Sequence, residues 1–184
     1  MRKTLLLGTI LVLIFTFLPI ADAYQAKWMG TKLTFKYDVK VPGTGKFKTR
    51  LKTWDDPIYF DSSLGTKIQL QIGTALGAPN FEADVEGKSD RKANVVAVEK
   101  EEVESFMSKL DAYLDDWNQK GRQLDYMGVT YDDFKVKGKL NVNGKYNKCS
   151  FKLKIKFTGT VNEGEHEGED VKGSFQVVLK GERD

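Results

Sequence analysis

The sequence predicts a mainly β fold (α+β). About eight antiparallel strands form a small barrel or a strongly curved sheet, with one amphipathic helix between the fifth and sixth strands. Three observations predict it. Apolar and polar residues alternate along most of the chain. The apolar period changes once, to that of a helix, over about residues 100–120. Clusters of Gly, Pro, Asn and Asp separate the alternating runs.

The first run sets Leu33, Phe35, Tyr37, Val39 and Val41 on one face and Lys32, Thr34, Lys36, Asp38 and Lys40 on the other. Pro42-Gly43-Thr44-Gly45 turns the chain. The return run opposes Phe47, Thr49, Leu51 and Thr53 to Lys46, Lys48, Arg50 and Lys52. Asp55-Asp56-Pro57 is a turn signal, because Asp bonds to its own backbone and Pro presets φ. Ile68, Leu70 and Ile72 mark a third strand, Phe81, Ala83 and Val85 a fourth, and the short run Ala93–Val98 a fifth.

Val103, Phe106, Met107, Leu110, Tyr113, Leu114 and Trp117 then share one face of a helix. Glu99, Glu101, Glu102 and Glu104 at its start and Lys120 and Arg122 at its end complement the helix dipole, and Gly121 suits the C-cap. Phe134, Val136, Gly138, Leu140 and Val142 make the next strand face. Asn143-Gly144 signals a two-residue hairpin into a long strand carrying Cys149, Phe151, Leu153, Ile155 and Phe157 inward. The acidic stretch Asn162–Asp170 leads to a last strand with Gly173, Phe175, Val177 and Leu179 inward.

Residues 1–23 read as a secretory signal peptide. Arg2 and Lys3 precede an apolar run from Leu5 to Leu18, and Ala21-Asp22-Ala23 is a small-x-small cleavage box. Cleavage after Ala23 leaves residues 24–184 as a single barrel-like domain. The expected location is secreted or periplasmic; the rival expectation is an exported domain anchored by an uncleaved segment.

Composition excludes several chemistries. One Cys among 184 residues rules out an intrachain disulfide framework and a multi-cysteine metal site, and one His rules out a multi-histidine centre. His166 is the only imidazole. It lies among Glu163, Glu165, Glu167, Glu169 and Asp170, a loop expected to be solvated and poorly suited to hold a general base. The same loop lacks the ligand spacing of a calcium site, which leaves cation binding there an open question. Cys149 falls on the inward parity of its strand, the position of a core thiol. Asp55-Asp56, Asp115-Asp116 and Asp132-Asp133 are neighbours in sequence and do not face one another across a cleft, as hydrolysis by paired carboxylates requires. No catalytic residue, metal or cofactor is expected, and the chain reads as non-enzymatic.

Two binding surfaces are expected instead. Phe35, Tyr37, Phe47, Phe134, Phe151, Phe157 and Phe175 point inward and could line a pocket for an apolar or amphiphilic, lipid-like molecule; a filled core is the alternative. Outward, Lys135, Lys137, Lys139, Lys152, Lys154 and Lys156 form a ladder on a stretch from Lys135 to Lys156 that contains no acid. If this hairpin neighbours the lysine-rich first one, one side of the molecule attracts an anionic envelope surface, a polyanion or an acidic protein. Nucleic acid is not an expected partner, because few outward aromatics are available for stacking. The first expectation for function is an exported binding protein with a ligand in the barrel interior; the second is an interaction module with a filled core and a basic face.

Overall fold

The computed structural model describes residues 26–51, 58–62, 67–73, 78–89, 91–117 and 127–184. The expected signal peptide, the Asp55-Asp56-Pro57 turn and the Lys120–Arg122 helix end lie outside them. Among the described residues, nine strands and one helix follow in the order β1 (Lys27–Val41), β2 (Gly45–Leu51), β3 (Ile58–Asp61), β4 (Lys67–Ile72), β5 (Asn80–Ser89), β6 (Lys92–Ala97), α1 (Lys100–Trp117), β7 (Val129–Val142), β8 (Lys148–Val161) and β9 (Asp170–Arg183).

All pairings are antiparallel. Strands β1 and β3 to β9 form a closed ring of eight, because β1 pairs with β9 along most of its length and with β3 at Lys27–Met29. Strand β2 pairs with β1 over Phe35–Val41 and stands outside the ring as a ninth strand. One edge of β1 is thus shared along its length, first by β3 and then by β2. The short strand β3 carries only Ile58 and Phe60 inward, too little to register as a period in sequence. It moves the helix from its expected place after the fifth strand to a place after the sixth.

Strand β6 pairs with β7 over only three residues, Lys92–Asn94 against Lys139–Asn141. Beyond that the two strands part, and α1 bridges the gap between β5 and β7. The Tyr131 hydroxyl of β7 donates to Asp111 Oδ1 at 2.8 Å. On the other side Lys109 Nζ donates to Asn80 Oδ1 at 2.6 Å, and the Glu82 backbone N–H donates to Glu102 Oε1 at 2.9 Å. The apolar stripe of the helix, Val103, Phe106, Met107, Leu110 and Leu114, is buried. Phe106 meets Phe81 and Phe175 edge-on, and Phe175 packs on Phe35. The barrel is therefore filled by rings from its own wall and from the helix that closes it.

The β7–β8 connection is longer than a two-residue turn. It runs from Asn143 to Asn147 because the Asn143 side chain accepts from the backbone N–H groups of both Asn147 and Lys148. Tyr146, rather than Gly144, takes the left-handed conformation, with φ of 56°.

Candidate anion-binding surface

Side chains of a strand alternate between faces, so the outward residues of neighbouring strands form rows across the sheet. Five consecutive strands, β2-β1-β9-β8-β7, share one outer face. One row runs Lys46, Lys40, Lys172, Thr158, Asp133. The next runs Lys48, Asp38, Ser174, Lys156, Lys135, and a third runs Arg50, Lys36, Gln176, Lys154, Lys137. These rows surround a solvent-open concavity of about 1100 Å³. Seven lysines and Arg50 line it, against two carboxylates, Asp38 and Asp133. The whole chain has a formal net charge of +3, so the trough holds more positive excess than the entire molecule. The remainder is net acidic.

Several of these cations stand directly opposite one another. Lys135 pairs with Lys156, Lys137 with Lys154 and Lys139 with Lys152, and Lys40 has lysines on both sides, Lys46 and Lys172. Like charges directly opposite in a sheet are destabilising. Lysine–carboxylate ion pairs among the described residues include Lys67–Glu82, Lys100–Glu104 and Lys148–Glu182.

The flank formed by β2 rests on the acidic β8–β9 loop. The Phe47 ring lies 5.8 Å from the His166 ring, and His166 Nδ1 is 3.3 Å from Glu169 Oε1. His166 is half-buried, which corrects the expectation of a solvated imidazole. The loop is held by backbone bonds from Glu167 to Gly164, Gly168 to Val161 and Glu169 to His166. Gly164 and Gly168, with positive φ, make those turns possible. Among the described residues no cluster of three or more His, Cys, Asp or Glu is placed to hold a metal ion.

The structure divides the residues singled out in sequence. Lys135 and Lys156 line the trough, while Lys137, Lys139, Lys152 and Lys154 continue the same outer face beyond its lining. The two lysine-rich hairpins are not adjacent. Strand β9 lies between them and contributes Lys172, Ser174 and Gln176, which sequence reasoning did not select. Of the seven interior aromatics, Phe35, Tyr37, Phe151 and Phe175 are fully buried and Phe157 nearly so. Phe151 stacks on Phe60, and the Tyr37 hydroxyl donates to the Met127 carbonyl at 2.7 Å. Burial, and then the nearby Asp111, push the Tyr37 phenol well above its ordinary pKa. Phe47 sits on β2, outside the closed ring, and Phe134 is half-buried beside Tyr131. Both are only partly buried and pack against the core.

Cys149 is buried, and burial pushes its thiol up to about 12, against a smaller opposing effect of the Gly181 backbone. That is the environment of an inert core thiol.

Fold and surface together define a closed antiparallel β-barrel, with one helix packed into its core and a basic trough on its outer face. No protein-family model, no curated protein and no solved structure matches the chain.

Proposed function

We propose that this protein is an exported, non-enzymatic binding module whose working surface is the lysine-lined trough and whose partner is anionic. The observation that carries this reading is the set of lysines held directly opposite lysines, between β7 and β8 on one flank and among β9, β1 and β2 on the other. Solubility and protection of strand edges require outward charge, but alternating signs would meet both needs without repulsion. A bound anion relieves the repulsion, and its attraction to several fixed cations is stronger than to any one of them.

A lipid-like guest in the interior was the first expectation. The rings that would have lined its pocket pack on one another and on Phe106, so a guest would have to displace them. The exterior trough is the reading that needs no such rearrangement.

Retention on a phosphocellulose column, eluted with increasing salt, tests the proposal. The expected result is elution later than that of another protein of equal net charge, with clear weakening on reversing Lys135 and Lys156 together. Elution in the void at low salt would overturn it.

A further inference from the structure

We propose that the occupant of the trough is a flexible linear chain of phosphoryl groups, laid along the strands over β1, β9 and β8. This rests on the anion-binding reading above and narrows it to one chemistry. Three observations carry it.

The first is the kind of cation. Seven of the eight lining cations are lysines. Lysine is a compact point charge with three rotatable donors; it meets the tetrahedral oxygens of a phosphoryl group from any direction and needs no planar, bidentate partner. The second is the floor. Ser174, Gln176 and Thr158 line the trough between its charged flanks and are half-buried. Their hydroxyl and amide groups donate to phosphoryl oxygens without adding charge.

The third is shape, together with what is missing nearby. A bilayer is flat and would touch only the rim of a concave surface. Proteins that sit on membranes also place apolar anchors beside their cations. Here the exposed large apolar residues among those described are Met29, Tyr59 and Val96, and none of them lines the trough. Met29 and Tyr59 pair with each other across β1 and β3, away from it. A narrow chain, by contrast, can descend to the floor. Outward side chains along a strand recur about every 7 Å, so phosphoryl groups spaced along an extended chain can reach successive rows of donors.

The test titrates the purified protein with long-chain inorganic polyphosphate, polyglutamate of matched charge, orthophosphate, and vesicles of phosphatidylglycerol and phosphatidylcholine. The expected result is polyphosphate binding roughly tenfold or more tighter than polyglutamate, with log K falling by about 4 per decade of salt for six neutralised charges. Weak orthophosphate binding and no vesicle co-sedimentation are expected beside it. Equal affinity for polyglutamate overturns the phosphoryl assignment and leaves the anion-binding reading standing. Vesicle binding without polyphosphate binding overturns the linear chain in favour of a membrane. Binding of none of the four overturns both.

Placement is tested with two charge reversals of equal size. Lys135→Glu with Lys156→Glu falls within the trough; Lys139→Glu with Lys152→Glu lies on the same two strands outside its lining. The first pair is expected to weaken polyphosphate binding roughly tenfold more than the second. Equal losses would mean diffuse attraction by the whole face and overturn the trough as the site. Circular dichroism of each variant confirms that the barrel is intact.

Discussion

The ring of Phe106, on the helix, meets the ring of Phe175, on the last strand, edge-on with centroids 5.7 Å apart. This contact joins the helix to the side of the barrel opposite its entry and makes the helix part of the core. Phe106→Ala is expected to cost about 3–5 kcal/mol of stability, measured by urea unfolding. The same variant should gain affinity for a small apolar probe such as benzene, because the emptied space is walled by rings. A loss below about 1 kcal/mol would mean the helix is not part of the core.

Gly173 sits beneath the ring of Phe157, its partner on β8. A methyl group added there would lie 2.2 Å from Phe157 Cζ and 2.5 Å from Cε2. The ring is itself wedged between Tyr37 and Tyr131 and has little room to yield. Gly173→Ala is therefore expected to cost about 1–3 kcal/mol. In a double-mutant cycle with Phe157→Ala, the combined loss should be clearly less than the sum, because the second change removes the clash.

Ser62 makes a prediction of the opposite kind, from a missing acceptor rather than added bulk. Its fully buried hydroxyl accepts from the Ala26 N–H at 3.0 Å and the Trp28 indole N–H at 3.2 Å, and donates to the Ala26 carbonyl at 2.9 Å. Ser62→Ala removes all three bonds and leaves buried donors without an acceptor. The expected cost is about 1–3 kcal/mol per group left unsatisfied, seen as a fall in melting temperature.

Lysine opposite lysine predicts a trade between stability and binding. Reversing one member, as in Lys154→Glu opposite Lys137, replaces a repulsive cross-strand pair with an attractive one. The variant is expected to gain up to about 1 kcal/mol while binding polyanions more weakly. The wild-type chain should melt higher as salt is raised from low concentration, since screening relieves repulsion. Melting that falls with salt over that range would contradict the electrostatic account of this face.

Cys149 gives a pH-dependent signature. Its ordinary value of 9.0 is raised in the folded protein to about 12 by burial. Between these values the unfolded chain releases the thiol proton while the folded one retains it. The stabilisation is complete below pH 9.0 and is lost as pH rises toward about 12. The decline in stability over that window should be shallower by one proton in Cys149→Ala than in wild type. The native thiol should also resist a thiol reagent near pH 8 and react once the chain is unfolded.

Much of the architecture is legible in sequence because strand faces repeat every second residue. Parity alone places Phe35, Phe151, Phe175 and the outward lysines on their correct sides. The helix is equally legible, since Val103 to Leu114 recur with its period. The errors have local causes. Strand β3 is four residues long, below the length at which alternation registers. The Asn143-Gly144 signal was overridden by the Asn143 side chain, which caps a longer loop. His166 looked solvated because nothing in its loop shows that Phe47, far away in the chain, packs against it.

Which side chains face in, which face out and where the helix lies along the chain follow from neighbours within a few residues, so the sequence carries them. Which strands adjoin depends on contacts between distant parts of the chain and is visible only in the folded barrel. Pairing of β1 with β9 closes the barrel, excludes β2 from the ring and sets Lys172 beside Lys40. The trough exists because two strands from the start of the chain, β1 and β2, and three from its end, β7 to β9, share one face, and strand order follows from closure of the ring, which no local pattern encodes.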